Sequence, residues 1–374
     1  MDILSLQSFR TEERAVFQMR RLFEQYSFQR FKMSRFEPYD LYIRNRDFLV
    51  SDRMITFTDT DGTLLALKPD VTISIIKNSS FQKGFVRKVY YQENVFRPGK
   101  NDAPFRELMQ TGLECIGDVE LYTICEVISL AAKSLQLVSP DYILDISHLG
   151  LISGVMEDLG IAQENYAQIL QRIREKNISE LSLLAKNLGY SQETHDMLCA
   201  LVLTYGEMEK VLTRLAPLCR SEKTQLALSE LRTVYDALCA QGLEKNVRID
   251  FSLVNDLNYY NGLVFQGFIK GIVTPVLSGG QYDRLMSKMG KEGRAVGFAV
   301  YLDALDALSP APKETDVDVL ILYDDETAPD RLFSEVKKCT AYGAKVLTAR
   351  KIPENLKAGK CIDLTEKGGA SWNI

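Results

Sequence analysis

Over residues 11–26, Val16, Met19, Leu22, Phe23 and Tyr26 recur at three- and four-residue spacings, the repeat of one helical face. The period then shortens. MITFTDTDGTLLALKP, residues 54–69, predicts two strands closed by a turn at Asp61-Gly62, a dipeptide that accepts the backbone angles of tight hairpins. FVRKVYYQENVFR (85–97) and FRELMQTGLECIG (105–117) predict two longer strands, separated by PGKNDAP, whose Pro, Gly and Asn interrupt regular pairing. Antiparallel strands joined by a long loop result. Residues 119–138 read as helix and DYILDISHLG (141–150) as a short strand.

From about 150 to 242 the chain is rich in Leu, Ala, Glu, Lys and Gln, and KTQLALSELRTVYDALCAQG ends on a Gly, as helix C-termini often do. Strand patterns return in VRIDFSL, GLVFQGFI, TPVLSGG and RAVGFAV between 246 and 300, with a helix expected at 281–289. The pattern predicts an α+β protein: a sheet-forming core at 1–150 and 243–308, a helical insert at 151–242, and a proline-bearing linker, SPAPKETD, at 309–316. A small α/β unit, 317–374, follows, with strands in VDVLILYDD, AKVLTA and CIDLTE and a helix at about 328–342.

A chain of 374 residues supports two or three domains. No apolar run approaches the roughly 20 residues of a membrane span, and the N-terminus lacks a basic region followed by an apolar block, so a cytoplasmic protein is expected. A net charge of -5 and a pI near 5.4 argue against a broad basic face for nucleic acid. Seven cysteines stand singly, which predicts reduced thiols. Only His148 and His195 are present, far apart in sequence, so neither a zinc site nor a Ser-His-Asp site is expected, and no cofactor is implied.

Candidate chemistry lies in four stretches. In LKPDVTI, Asp70 and Thr72 follow a strand and a Pro, where such residues open a helix; the alternative is that Asp70 accepts from a ligand ammonium. Two-residue alternation places Arg97, Gln110 and Glu114 on one sheet face, either lining a cleft or simply solvated. In NDLNYYNG, alternation sends Tyr259 and Tyr260 to opposite faces, one to a pocket and one to packing. VLSGGQYDRLM sets two glycines before a helix, but it matches neither phosphate-loop fingerprint, and a close approach of sheet and helix explains them equally well.

The order LKPDVT, NVFRPGK…FRELMQTGLE, LNYYNGLVF, SGGQYDRL, AVGFAVYLDAL resembles the catalytic core of the histidyl-tRNA synthetases, class II aminoacyl-tRNA synthetases, over roughly residues 5–305. The resemblance implies an antiparallel sheet flanked by helices and a histidine pocket. Asp70, Thr72 and Gln110 would hold the amino group; Glu114 and Tyr259, with Tyr260 beside it, would read the imidazole. Arg97 would also face the pocket. The adenylation machinery departs from the family pattern: Asn255 replaces the Arg of RGLDYYTG, Ala304 the Arg of GLER, and Gly99 the Glu of FRxE. Losing one positioned cation of this kind costs on the order of 100- to 1,000-fold in rate.

A paralogue that keeps the pocket and loses adenylation resembles the regulatory subunits of ATP phosphoribosyltransferase, the first enzyme of histidine biosynthesis. LDISHLGLI resembles a segment usual in that family. The resemblance implies a non-catalytic homodimer within a hetero-oligomer, activating a short-form catalytic subunit and mediating feedback inhibition by histidine. A divergent but active histidyl-tRNA synthetase is the alternative, opposed by Asn255, Ala304, Gly99 and the acidic balance. A synthetase-like protein serving another partner also remains open.

Overall fold

The computed structural model describes residues 10–49, 51, 53–80, 82–99, 103–253, 259–308, 315–365 and 371–372. Asn255, on which part of the sequence argument rests, and most of the expected linker lie outside them. The chain divides into two compact units, 1–309 and 310–374.

The first unit opens with α1 (Thr11–Gln25), whose Ala15, Met19 and Phe23 bury one stripe at four-residue spacing. Next come β1 (Gln29–Arg30), β2 (Phe36–Pro38), α2 (Tyr39–Ile43), β3 (Thr56–Thr58), β4 (Leu64–Leu67) and α3 (Thr72–Lys77). The expected hairpin at 54–69 is β3 and β4, turned through Gly62 at φ +86°. The pattern missed β2, which pairs with β4 to complete a small three-stranded sheet.

The long strands β5 (Val86–Arg97) and β6 (Arg106–Gly117) pair along their whole length, from Val86 opposite Gly117 to Arg97 opposite Arg106. They are followed by α4 (Leu121–Val138), β7 (Tyr142–His148) and α5 (Leu149–Asp158). Helix α4 is more apolar than the sequence reading allowed, with a mean hydropathy of 1.3, enough by length and composition alone to pass for a membrane span. Its Val127, Ile128, Leu130 and Ala131 are fully buried, the position of a core helix.

Between β7 and the returning strands stand α6 (Tyr166–Arg174), α7 (Ile178–Asn187), α8 (Gln192–Leu203), β8 (Gly206–Glu207), α9 (Met208–Leu215) and α10 (Glu222–Cys239). The chain leaves α10 through Gly242, at φ +66°. Strands β9 (Val247–Ile249), β10 (Leu263–Ile269) and β11 (Leu277–Gln281), helix α11 (Asp283–Lys288) and strand β12 (Arg294–Tyr301) close the unit. Its nine-stranded sheet runs β1-β5-β6-β12-β11-β10-β7-β9-β8. Pairing is antiparallel except at β1–β5 and β7–β9.

One face of this sheet packs Leu113, Leu144, Ile146 and Phe298 against helices that contribute Phe23 and Leu231, in a single apolar core. His148 ties the far side together. Its Nδ1 accepts from the Leu151 amide at 3.1 Å, capping α5, so its proton sits on Nε2 and is donated to Glu230 of α10 at 2.8 Å. The opposite face carries a smaller cluster that includes Tyr42, Ile73, Tyr91 and Tyr282, beside a stretch of sheet left uncovered by helices.

In the second unit, β13 (Val317–Leu322) pairs in parallel with β14 (Val346–Ala349) and β15 (Ala358–Asp363), while β16 (Ser371–Trp372) adds antiparallel to β15. Helix α12 (Pro329–Ala341) connects β13 to β14. Alternation along β13 sends Leu320 and Leu322 to one small core and Val319 and Ile321 to another.

Candidate functional site

The uncovered face holds a cavity of about 400 Å³, and every candidate residue of the described stretches lines it: Asp70, Thr72, Arg97, Gln110, Glu114, Tyr259 and Tyr260. Its floor is set by strand register. Tyr91, Gly112, Ala299, Ser278 and Gln266 lie in one row across five strands, each opposite the next. Small residues in mid-row hold the floor low. Glu114 and Gln110 project from β6 in neighbouring rows, opposite Gly297 and Tyr301 of β12.

Glu114 is 2% exposed. Thr72 Oγ1 donates to its Oε1 at 2.8 Å and Tyr282 OH to its Oε2 at 2.5 Å. Burial, with the nearby Asp70 charge adding to it, pushes the carboxyl up to about 8 against the pull of these two hydrogen bonds. Near pH 7 it therefore carries a proton it can donate or yield. Gly297 gives it room: a Cβ there would lie 1.7 Å from Oε2.

Asp70 opens a helix, the first of its two sequence readings. Its Oδ1 accepts from the Ile73 amide at 3.0 Å, holding the first turn of α3, and its carboxylate also faces the cavity, 4.0 Å from Arg97 Nη2. Burial raises the Asp70 pKa, while Arg97, two backbone amides and Lys68 oppose the rise. Lys68 is fully buried and donates to Glu93 at 2.8 Å. Arg97 is oriented by donating to the Pro69 carbonyl at 3.0 Å. Gln110 is 2% exposed, and its buried Nε2 has no hydrogen-bond partner among the described residues. A buried donor of this kind needs an acceptor from a ligand or water.

The tyrosine pair departs from the expectation of opposite faces. Tyr259 and Tyr260 precede β10 in a turn rather than a strand, so strand alternation does not apply, and both rings line the cavity with centroids 4.6 Å apart. Tyr260 stands over Gly280, where a Cβ would come within 2.7 Å of its ring. The paired glycines of SGGQYDRL therefore serve close approach inside β11, and not a phosphate loop. Asn261 joins this turn to α11: its Nδ2 donates to Asp283 Oδ2 at 3.0 Å and its Oδ1 accepts from the Asp283 amide at 2.8 Å.

Sequence reasoning missed Tyr282, Tyr91, Tyr301, Phe48, Gln266 and Ser278, all of which line the cavity. Tyr282 lay within a quoted motif, and its position one residue beyond β11 was the available signal. Of the positions that depart from the adenylation pattern, Gly99 sits where the loop closes, its amide donating to the Pro104 carbonyl at 3.1 Å. Ala304, in a 3-10 turn after β12, packs against the main core.

A largely antiparallel sheet with a polar cavity on its open face, entered by an acid-bearing helix start and a tyrosine turn, defines a chain of the class II aminoacyl-tRNA synthetase type. Comparison with known proteins narrows this. The family model described as histidyl-tRNA synthetase matches residues 2–305. The ATP phosphoribosyltransferase regulatory subunit of Halothermothrix orenii is 30% identical over 328 residues, 82% of this chain and 77% of that one. A crystal structure of an ATP phosphoribosyltransferase regulatory subunit/histidyl-tRNA synthetase from Bacillus halodurans C superposes with a TM-score of 0.76 at 24% identity, covering 96% and 95% of the two chains. A chain of the ATP phosphoribosyl transferase (HisG:HisZ) complex from Thermotoga maritima superposes with a TM-score of 0.62 at 19% identity, covering 78% and 97%. The chain belongs to the histidyl-tRNA synthetase family and, within it, to the ATP phosphoribosyltransferase regulatory subunits.

Proposed function

We propose that this chain is a non-catalytic regulatory subunit that activates a short-form ATP phosphoribosyltransferase catalytic subunit and relays feedback inhibition by histidine bound in the cavity. The observation that carries the reading is the placement of Glu114, deep and held by Thr72 and Tyr282, in the same cavity as Asp70 and Gln110. An imidazole nitrogen would meet Glu114; the ligand ammonium would meet Asp70, Thr72 and the Gln110 side chain, and its carboxylate Arg97. Tyr259 and Tyr260 would wall the ring. Residues 1–150 and 243–308 would form the homodimeric, pocket-bearing core, with 151–242 as an insert. The solved assembly of a structural neighbour supports a hetero-oligomer with catalytic chains.

Feedback requires histidine to bind the inhibited assembly more tightly than the active one. The test is the rate of phosphoribosyl-ATP formation by a short-form catalytic subunit from the same source, with and without this chain, across a histidine titration. Activation together with histidine-sensitive inhibition is expected; absence of both overturns the proposal.

A second reading, a divergent active histidyl-tRNA synthetase, is favoured by the retained Arg97 in the cavity and the family-model match. Gly99, Ala304 and Asn255 oppose it, since adenylate formation concentrates charge that positioned cations stabilise. Histidine-dependent exchange of pyrophosphate into ATP would establish it.

A further inference from the structure

Helices α7 and α8 border an open, solvent-exposed cavity of about 360 Å³ whose lining includes Ser179, Ser182, Leu183, Lys186, Gln192 and His195. Ser179, Ser182 and Lys186 recur on α7 at spacings of three and four; Gln192 and His195 do the same on α8. Two polar helix faces therefore meet across an open space.

Where they meet, Ser182 Oγ lies 2.5 Å from His195 Nε2, and His195 Nδ1 lies 2.8 Å from Asp196 Oδ1. Gln192 Nε2 donates to the same Oδ1 at 2.8 Å and fixes it. Gln192 Nε2 also lies 2.9 Å from His195 Nδ1; in the tautomer whose Nδ1–H donates to the Asp196 carboxylate, which can only accept, Nε2 presents its lone pair to the Ser182 hydroxyl. The same hydrogen bond holds the Asp196 carboxyl below its ordinary range. This geometry was unexpected from the wide sequence separation of the two histidines, because the serine comes from the neighbouring helix and the acid from the next residue.

Ser182 and His195 both line the cavity, and their bond is only part-buried. The geometry points to Ser182 as a nucleophile toward small acyl esters, with His195 as its base and Asp196 as the orienting group. Ser182 Oγ attacks the ester carbonyl carbon while its proton passes to His195 Nε2. The C–O bond to the alkoxy group breaks, and the alcohol leaves with that proton. Water, deprotonated by His195, then cleaves the acyl-serine and releases the carboxylic acid. Lys186, one turn along α7 on the same wall and unpaired among the described residues, supplies positive charge for the developing oxyanion.

The test is covalent labelling of the full-length chain by a fluorophosphonate probe, followed by peptide mass spectrometry. Labelling at Ser182 is expected, abolished in Ser182→Ala and slowed about 100-fold in His195→Gln, the scale of a lost general base. Wild-type labelling at Ser182 no greater than at surface serines overturns the proposal, whatever the variants do. A Ser182→Ala chain that still binds histidine in the first cavity shows that the loss of label is chemical and not a loss of fold.

Discussion

Gly297 lies directly against Glu114: the β-carbon of any other residue would come within 1.7 Å of the carboxylate Oε2 and 2.4 Å of the Leu113 carbonyl. Gly297→Ala should therefore displace Glu114 from Tyr282 and Thr72. We expect a loss of about 1–3 kcal/mol in stability, the usual range for overpacking, and at least about a tenfold loss of histidine affinity. Thermal melts and calorimetric titration measure the two; unchanged affinity would place histidine elsewhere.

Glu114→Gln should weaken histidine binding by removing a charge-assisted bond, with calorimetry as the check. If histidine binds as proposed, one proton would be shared between Glu114, at about 8, and an imidazole that titrates near 6.5, so affinity should peak between about pH 6.5 and 8. Loss of that maximum in Glu114→Gln tests the assignment.

The same carboxyl makes stability depend on pH in the ligand-free chain. Its folded pKa stands above the ordinary value of 4.5, so the folded state holds a proton that the unfolded state has released between 4.5 and about 8. The contribution is complete below 4.5 and is lost as pH rises through 8. Urea denaturation of wild type at pH 5 and pH 8.5 should show a decline of a few kcal/mol, on the order of 1.4 per pH unit, that Glu114→Gln flattens.

Lys68→Met should leave Glu93 uncompensated in a part-buried site, at a cost of about 3–5 kcal/mol, the range seen when one partner of a buried pair is removed. Lys68→Met with Glu93→Leu should recover much of it. A double variant no more stable than the single would show that the pair itself is not the source.

Asn261→Ala should release the tyrosine turn from Asp283 while leaving the β10–β11 ladder intact. Histidine affinity is expected to fall by more than the melting temperature suggests, and tyrosine fluorescence quenching by histidine should diminish.

The elements that carry the cavity were legible because their signals are local. β5 and β6 are extended over twelve residues each, so successive side chains take opposite faces, and that two-residue period places Arg97, Gln110 and Glu114 on the cavity face. It failed at Tyr259 and Tyr260, where the chain turns and the period no longer holds. Partners across the sheet were out of reach for another reason. That Tyr282 meets Glu114, 168 positions earlier, follows from β11 and β6 both flanking β12, an order that no local pattern encodes. The short β2 was missed because three residues are too few to show a period.

The row from Tyr91 to Gln266 spans five strands without a loop residue among them. Shifting any one strand by a single position would turn its side chain away from the row, so backbone hydrogen bonds set the spacing of the floor. Residues on connecting segments, such as Gly99 and Ala304, are under no such control. A floor ruled like graph paper keeps its spacing whatever its margins carry.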